Sequence, residues 1–304
     1  MLQIIDLTQQ YTMGAKAICD LSVSVETNSL LCILGKEEAG KTTLLKTICG
    51  LTDIKQGKIL IGDNNIINTP LKNLNIAFMY ETGGFFENKS VIYNLEYPLK
   101  IRQLNDDYIK QTVNHVIDKF DLSRIKNNKI SKLNELDKLN LAFARLFTRN
   151  SKLILIDNPF KKFNNRNNIF EFFLPYINEL NKNSTIIYAT DNPYETYRLN
   201  GNILILNYGI TEQYGTYEEL QKNPNSLIVL KYMNPKSKIY EGKIIVVNEK
   251  LCVSYNNILR ELKKNNLLNN IYIGKKVLVA ELDFNNKPNI NIFDYNNERK
   301  IYFD

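Results

Sequence analysis

The feature that most constrains this sequence is a short glycine-bounded segment, residues 35–42, which reads GKEEAGKT. It matches the pattern G-x-x-x-x-G-K-[ST], follows the apolar run Leu30–Leu34 and precedes a helical pattern at residues 41–49. A loop in this context presents backbone N–H groups and the positive end of a helix to phosphate oxygens. The segment therefore predicts a polyphosphate site, in which Lys41 contacts the outer phosphates and the Thr42 hydroxyl binds Mg²⁺. The alternative is a glycine turn that merely caps a helix.

A second element points to the same chemistry. The apolar run Leu153–Ile156 ends in Asp157, and in P-loop NTPases an aspartate at the end of such a strand helps to hold Mg²⁺. The other interpretation of Asp157 is a residue that caps the segment after the strand. The glycine-bounded loop favours the metal role.

Strand and helix patterns alternate through much of the chain, which predicts a parallel sheet covered by helices. The predicted strands cover residues 2–7, 19–27, 30–34, 58–61, 76–80, 152–156, 185–189 and 202–206. The predicted helices cover residues 41–49, 105–120, 133–148, 166–181 and 193–198. Pro175 should kink or split the helix that contains it.

The chain has 304 residues, which predicts one large domain and a smaller one. Residues 234–237 (NPKS) have the composition of a linker, and the strand patterns after it predict a small β-barrel. The expected domains are therefore residues 1–235, with a helical subdomain at about 82–147, and residues 236–304.

Composition excludes several classes of protein. Hydrophobic residues make up 44% and charged residues 23%, which excludes collagen-like and fully disordered chains. The sequence has no apolar run of about 18 residues and no secretory signal pattern, which predicts a chain that does not span a membrane. Its four cysteines lack CxxC spacing, which predicts reduced thiols in the cytosol. The net charge of +7 is dispersed and favours a solvated surface over a nucleic-acid stripe.

Together these segments resemble the ATP-binding subunits of ABC transporters, especially the carbohydrate-importer branch, over nearly the whole chain. Further matching segments are Tyr97–Arg102, at the start of a helical subdomain, residues 142–145 (AFAR), after a signature motif, and residues 209–219 (GITEQYGTYEE), near the end of the domain. The segment after Pro235 is similar to a shortened oligomer-binding-fold-like extension. The resemblance implies an α/β fold, with a P-loop NTPase domain, a helical subdomain and a small C-terminal β-barrel regulatory domain.

The resemblance also implies site residues and partners. Tyr11 stands where the family places an aromatic residue that stacks on adenine, and Thr42, Asp157 and Glu81 are the implied Mg²⁺ ligands. The residues expected to bind the nucleotide are Tyr11, Gly35, Lys36, Glu37, Glu38, Ala39, Gly40, Lys41, Thr42 and Thr43. The implied cofactors are ATP and Mg²⁺. The implied partners are integral-membrane permease subunits and a second ATP-binding subunit, with no nucleic acid, and the implied location is cytoplasmic, peripheral on the inner face of the cell membrane.

Departures from the family pattern fall on residues of catalysis. The family glutamate that polarises the attacking water is Asn158 here, and its amide cannot act as a general base, a role that contributes about 10²–10⁴ in rate. The family histidine that contacts the γ-phosphate is Asp191, which has the same sign of charge as the phosphate. The family glutamine that senses Mg²⁺ and water is Glu81, which can still bind the metal.

The family's glycine-rich signature motif, which faces the partner subunit's nucleotide, is altered as well. Its five positions are occupied by Leu133, Asn134, Glu135, Leu136 and Asp137. The two acids add bulk and negative charge where the family has glycine and serine. The dimer-facing segment after Pro159 also differs and reads FKKFN.

These residues predict a subunit that holds Mg·ATP, with weak or absent hydrolysis and a coupling or regulatory role in the import of a sugar or related solute. Because its own signature is altered, the chain is expected to pair with a different ATP-binding subunit rather than with itself. Two alternatives stay open at this point. One is an active ATPase subunit that energises a homodimeric ABC transporter, and the other is a non-transport nucleotide- or nucleic-acid-binding module, which steeply salt-sensitive DNA or RNA binding would support.

Overall fold

The computed structural model describes residues 2–10, 16–66, 69, 74–248, 250–262, 272–284 and 287–301. The chain divides into two compact units, Met1–Thr211 and Glu212–Asp304. Tyr11, the predicted adenine contact, lies outside the described residues. Within those ranges, no helix combines the length and the apolar character that crossing a membrane requires.

The first unit combines two sheets with helices. Its strands are β1 (Leu2–Gln10), β2 (Lys16–Val25), β3 (Leu30–Leu34), β4 (Gln56–Ile61), β5 (Asn64–Asn65), β6 (Ile76–Met79), β7 (Leu153–Asp157), β8 (Thr185–Thr190), β9 (Asn202–Asn207) and β10 (Ile210–Gly215), in which the unit boundary falls. Its helices are α1 (Lys41–Ile48), α2 (Val91–Lys100), α3 (Asp106–Lys119), α4 (Glu135–Arg149), α5 (Arg166–Asn181) and α6 (Pro193–Leu199), with a 3₁₀ turn at Ile130–Lys132.

The larger sheet has the strand order β10-β9-β3-β8-β7-β6, and the smaller, antiparallel sheet has the order β2-β1-β4-β5. Strands β3, β7 and β8 are buried at every position, as expected of parallel strands covered on both faces. Strand β3 pairs in parallel with β8 and β9, and β7 pairs in parallel with β6 and β8. Their carboxyl ends therefore lie at one edge of the sheet, where ligands bind in open α/β folds.

Helices occupy most of the segment predicted as a helical subdomain, residues 82–147. Asparagine and serine side chains cap them: Ser90 accepts from the N–H of Tyr93, and Asn134 accepts from the N–H of Asp137. Helix α5 continues through Pro175, so this proline does not split it. Its loss of one N–H donor is offset by an apolar face that packs in the core through Phe170, Phe173 and Ile177.

The second unit is β-rich. Its elements are α7 (Tyr217–Lys222), α8 (Leu227–Met233), β11 (Lys238–Val247), β12 (Lys250–Tyr255), β13 (Ile258–Glu261), β14 (Lys276–Phe284), β15 (Lys287–Asp294) and β16 (Lys300–Ile301). The strands form an antiparallel sheet in the order β13-β12-β11-β14-β15-β16. Among the described residues β13 and β16 do not pair with each other, so these strands form an open order rather than the closed ring of a barrel.

The α/β class of the first unit and a β-rich C-terminal unit are both confirmed. The second unit begins at Glu212 rather than at residue 236, where the sequence places the domain boundary. The reason is the packing of α8, whose Leu227 and Leu230 form one buried cluster with Leu282 and Phe293 of the sheet. The linker-like segment at 234–237 is thus a short connection inside this unit.

Candidate nucleotide-binding site

The loop between β3 and α1 is packed too closely for side chains at its two glycines. A Cβ atom at Gly35 would lie 2.6 Å from the carbonyl oxygen of Leu206, and one at Gly40 would lie 2.4 Å from that of Ala17. Gly40 also has a φ of +99°, in the region that favours glycine. The result is a tight loop at the N-terminus of α1, which is the arrangement that binds phosphate through backbone N–H groups.

Lys41 lies across this loop. Its Nζ atom donates to the carbonyl oxygens of Gly35 at 2.6 Å and of Lys36 at 2.7 Å, and the residue is only 6% exposed. Burial lowers the pKa of Lys41, because the ammonium has lost part of its hydration. An incoming phosphate would give this cation a charged partner in place of two neutral carbonyls.

Thr42 and Asp157 meet at the end of β7 as the sequence predicts. The Thr42 hydroxyl donates to Asp157 Oδ2 at 2.8 Å, and Asp157 is 2% exposed. Asp157 Oδ1 is buried and has no hydrogen-bond partner. A buried carboxylate oxygen without a donor, beside a hydroxyl, fits a hard divalent cation, so these residues suit Mg²⁺. Such an ion would take its remaining ligands from phosphate and water, since the described residues hold no cluster of three or more acidic, histidine or cysteine ligands.

Burial raises the pKa of Asp157, and the nearby charge of Glu81 adds to the effect, while the hydrogen bond from Thr42 and the charge of Lys41 oppose it. A carboxyl whose pKa is raised by folding contributes stability below its unfolded pKa and loses it as the pH rises through the folded value. At neutral pH, the charged Asp157 therefore destabilises the metal-free fold.

We expect Asp157→Asn to raise the melting temperature of the metal-free chain at neutral pH by about 2–4 °C, the shift that ~1 kcal/mol gives in a domain of this size. The gain should shrink as the pH is lowered, because protonation then removes the same charge from the unmutated chain. Scanning calorimetry in EDTA at neutral and acidic pH measures both effects. An equal gain at every pH would show that the charge of Asp157 is not the cause.

Arg166, the first residue of α5, connects residues that follow β7 and β8. Its guanidinium pairs with the carboxylates of Asp191 and Glu195. It also donates to Thr190 Oγ1 at 2.8 Å and to Asn158 Oδ1 at 3.4 Å. Burial by itself would lower the pKa of Arg166, but the hydrogen bonds and charges of Glu195 and Asp191 outweigh it and raise that pKa.

This network changes the interpretation of Asp191. The sequence suggests a bare carboxylate facing the phosphates, whereas the structure pairs that carboxylate with Arg166. Sequence analysis missed Arg166, because 25 residues separate it from Asp191 along the chain and no motif links them. Asn158 has a φ of +45° and is held at its amide oxygen by the same guanidinium.

The segment at the signature positions also has partners that the sequence does not reveal. Asn134 caps α4, and Glu135 forms ion pairs with Lys138 and with Lys162, a residue of the loop after β7. The charge of Glu135 is therefore largely neutralised within its own chain. Leu136 is exposed.

One cleft of about 300 Å³ gathers the predicted phosphate and metal residues. Its lining residues are Glu37, Glu38, Ala39, Gly40, Lys41, Thr42, Thr43, Glu81, Asn158 and Lys161. Asp157 joins it through Thr42, whereas Asp191 and the signature positions 133–137 are not part of its lining. Lys161 is the lining residue that sequence analysis did not single out.

The chain is similar to several known proteins. Residues 18–161 match the family model described as ABC transporter. The chain is 27% identical to the sn-glycerol-3-phosphate import ATP-binding protein UgpC of Psychromonas ingrahamii, over 80% of this chain and 65% of that protein. It is 24% identical to the spermidine/putrescine import ATP-binding protein PotA of Fusobacterium nucleatum, over 92% of this chain and 74% of that protein. The trehalose import ATP-binding protein SugC of Mycobacterium tuberculosis is 25% identical, over 79% of this chain and 62% of SugC.

The fold agrees as well. A dimeric, post-hydrolysis structure of the ATP-binding cassette MJ0796, bound to ADP and Pi, superposes with a TM-score of 0.64 at 19% identity, over 71% of this chain and 98% of that one. The glycine loop and Asp157 both lie within the matched residues 18–161. Residues 18–161, a little under half of the chain, are therefore an ABC transporter domain.

Proposed function

We propose that this chain is an ATP-binding subunit of an ABC importer, which binds Mg·ATP and hydrolyses it slowly or not at all. The observation that carries the proposal is the contrast within one cleft. Lys41 crosses the phosphate loop and Asp157 keeps a buried oxygen free beside Thr42, so the binding residues fit. The next residue, Asn158, offers an amide where a general base is needed.

The contacts of Asn158 support weak hydrolysis. Its amide oxygen faces Arg166 Nη2, and neither group can take a proton from water at neutral pH. The carboxylate of Asp191 forms an ion pair with the same guanidinium. When bound, Mg²⁺ would supply charge stabilisation to the phosphates, and the chain itself would bind and orient the nucleotide without activating water.

The names of the relatives support the proposed solute and the direction of transport. All three that are described above are named as import ATP-binding proteins, two of them for a sugar or a glycerol phosphate and one for polyamines. We infer import of a sugar or related solute, with this chain on the inner face of the cell membrane.

A second cleft, of about 390 Å³, supports a permease as the partner. It opens between helices α2 and α4 and strand β6, and aromatic residues such as Phe86 and Tyr97 line it beside Arg145 and Arg149. Arg145 donates to the carbonyl oxygens of the loop at 83–84, while Arg149 Nε is buried without a hydrogen-bond partner. An apolar segment that carries an acidic group would fit this lining, and we assign the contact to a permease subunit.

The second ATP-binding subunit is proposed to be a different chain. A homodimer would place Glu135, Leu136 and Asp137 over both nucleotides, with side chains where close backbone approach is needed. Pairing with a subunit that has a glycine-rich signature would leave one nucleotide well contacted, which suits a coupling or regulatory role for this chain.

Two measurements on purified protein test the proposal. Calorimetric titration should show nucleotide binding that requires Mg²⁺, and phosphate release should stay well below the turnover of about 10 per second that is common for enzymes. Turnover near that value would favour the active homodimeric ATPase instead. Affinity purification from membranes should then recover a permease together with a motif-complete ATPase subunit, and recovery of this chain alone with a permease would contradict the heterodimer.

Asn158→Glu should restore little hydrolysis, less than about tenfold, although a general base contributes about 10²–10⁴ in a competent site. The new carboxylate would lie beside Arg166, which would pair with it, lower its pKa and so make it a weaker base toward water. Steady-state phosphate release from the variant and the unmutated chain makes the comparison. Recovery of turnover by a hundredfold or more would show that the missing base was the main defect.

A further inference from the structure

The loop after β7 carries two adjacent lysines that take different partners. Phe160, directly before them, is fully buried and packs against Phe143 and Phe173, so the backbone of the loop is fixed at that point. From this anchor, Lys162 pairs with Glu135, whereas Lys161 lines the phosphate cleft. The two side chains thus carry the same charge, but only that of Lys161 lies in the lining of the phosphate cleft.

Lys161 is held over the cleft by two carboxylates. Its Nζ atom lies 2.9 Å from Glu37 Oε1, in the phosphate loop, and 3.7 Å from Glu81 Oε1, after β6. The hydrogen bond to Glu37 raises the pKa of Lys161, so the side chain is a cation at neutral pH. It brings a second positive charge to a cleft in which Lys41 is the other lining lysine next to Thr42.

We propose that Lys161 binds the polyphosphate in the cleft of its own chain. Before Mg·ATP binds, its ammonium is paired with Glu37 and Glu81. This inference rests on the proposed function, since it assigns a further binding residue to the same cleft. The Glu37 side chain is 74% exposed, so it can turn to solvent when phosphate oxygens approach. A triphosphate carries more negative charge than one carboxylate and so displaces Glu37 from the ammonium.

The position of Glu81 sets which phosphate is contacted. The resemblance implies that Glu81 is a metal ligand, and the ammonium of Lys161 lies 3.7 Å from its carboxylate. The ammonium should therefore reach the outermost phosphate, next to the metal, rather than those nearer the adenine. Its loss should weaken ATP binding more than ADP binding.

Glu37 acts as an internal competitor in this arrangement. Glu37→Gln removes a negative charge from an anion site and releases Lys161, so the affinity for Mg·ATP should rise about three- to tenfold. In the absence of Lys161, the same substitution should gain less, because no ion pair is left to release. The two effects are thus expected to be non-additive.

The test compares Lys161→Ala with Lys162→Ala, a matched control that removes the same charge one residue away. Calorimetric titration should give about a tenfold weaker Kd for Mg·ATP in the Lys161 variant, as for the loss of one charged contact, and less than a twofold change for Mg·ADP. The Lys162 variant should stay within twofold of the unmutated chain. Lys161→Arg, which keeps the charge, should recover most of the affinity, and equal melting temperatures would show that all variants are folded.

The outcomes separate this inference from the function on which it rests. If the unmutated chain binds Mg·ATP and the two alanine variants are alike, Lys161 is not a ligand although the proposed function stands. An equal loss of ATP and ADP affinity would place the lysine away from the outermost phosphate and overturn the assignment. If the unmutated chain binds no nucleotide, the proposed function fails and the inference fails with it.

Discussion

Lys41→Ala is expected to weaken Mg·ATP binding by at least about 100-fold, because hydrogen bonds to charged groups contribute about 1.5–3 kcal/mol each and a phosphate cradle offers this ammonium two oxygens. The lysine already points across the loop, with two donors on the carbonyl oxygens of Gly35 and Lys36. Little rearrangement is then required when phosphates take over those donors. Alanine removes the cation and leaves only backbone N–H groups for the anion.

Isothermal titration calorimetry with Mg·ATP measures this loss, and Lys152→Ala is the control. Lys152 is exposed and precedes β7, at the opposite end of that strand from Asp157, so its removal should leave binding unchanged. Since burial already lowers the pKa of Lys41, removal of the ammonium should not destabilise the metal-free chain. A variant that still binds Mg·ATP with a Kd within tenfold of the unmutated chain would mean that Lys41 does not contact the phosphates.

The core of the first unit was predictable because its elements have strong local signals. Strand β3 and helix α5 occur at the predicted residues, 30–34 and 166–181, since one is a fully buried apolar run and the other has a long periodic pattern. Sequence analysis did not predict helix α7, although Thr216 and Glu219 have the S/T-x-x-E/Q spacing of a capping box, which indicates the start of a helix. In the C-terminal unit, short strands such as β13 and β16 gave no signal above their polar surroundings.

The residues of the site likewise differ in whether a local sequence signal indicates them. Gly35, Lys41 and Asp157 were predictable because a loop or a strand end fixes each of them locally. The roles of Arg166 and Lys161 were not, since each depends on partners that only the fold brings near. Lys161 meets Glu37 across more than a hundred residues of chain, and no spacing rule describes such a pair.

Arg166→Met should lower the free energy of unfolding by about 3–5 kcal/mol, the loss expected when one partner of a buried ion pair is removed. The reason is Glu195, which is fully buried and pairs with the guanidinium. Without Arg166 it would retain only hydroxyl donors, from Tyr188 and Thr190 at 2.7 Å each, and the amide of Asn192. These dipoles cannot replace a positive charge beside a fully buried side chain.

Urea unfolding followed by circular dichroism measures the change, and Arg198→Met is the matched control. Arg198 pairs with Glu171 at 2.7 Å, but both are substantially exposed, so its loss should leave the unfolding midpoint almost unchanged. Adding Glu195→Gln to Arg166→Met should recover much of the lost stability, because it removes the uncompensated charge. If the double variant is no more stable than Arg166→Met, packing of the arginine and not the charge of Glu195 explains the loss. If it recovers, the uncompensated charge of Glu195 explains the loss. Asn158 and Asp191, two of the residues that depart from the catalytic pattern, then share one electrostatic network with Glu195 around Arg166.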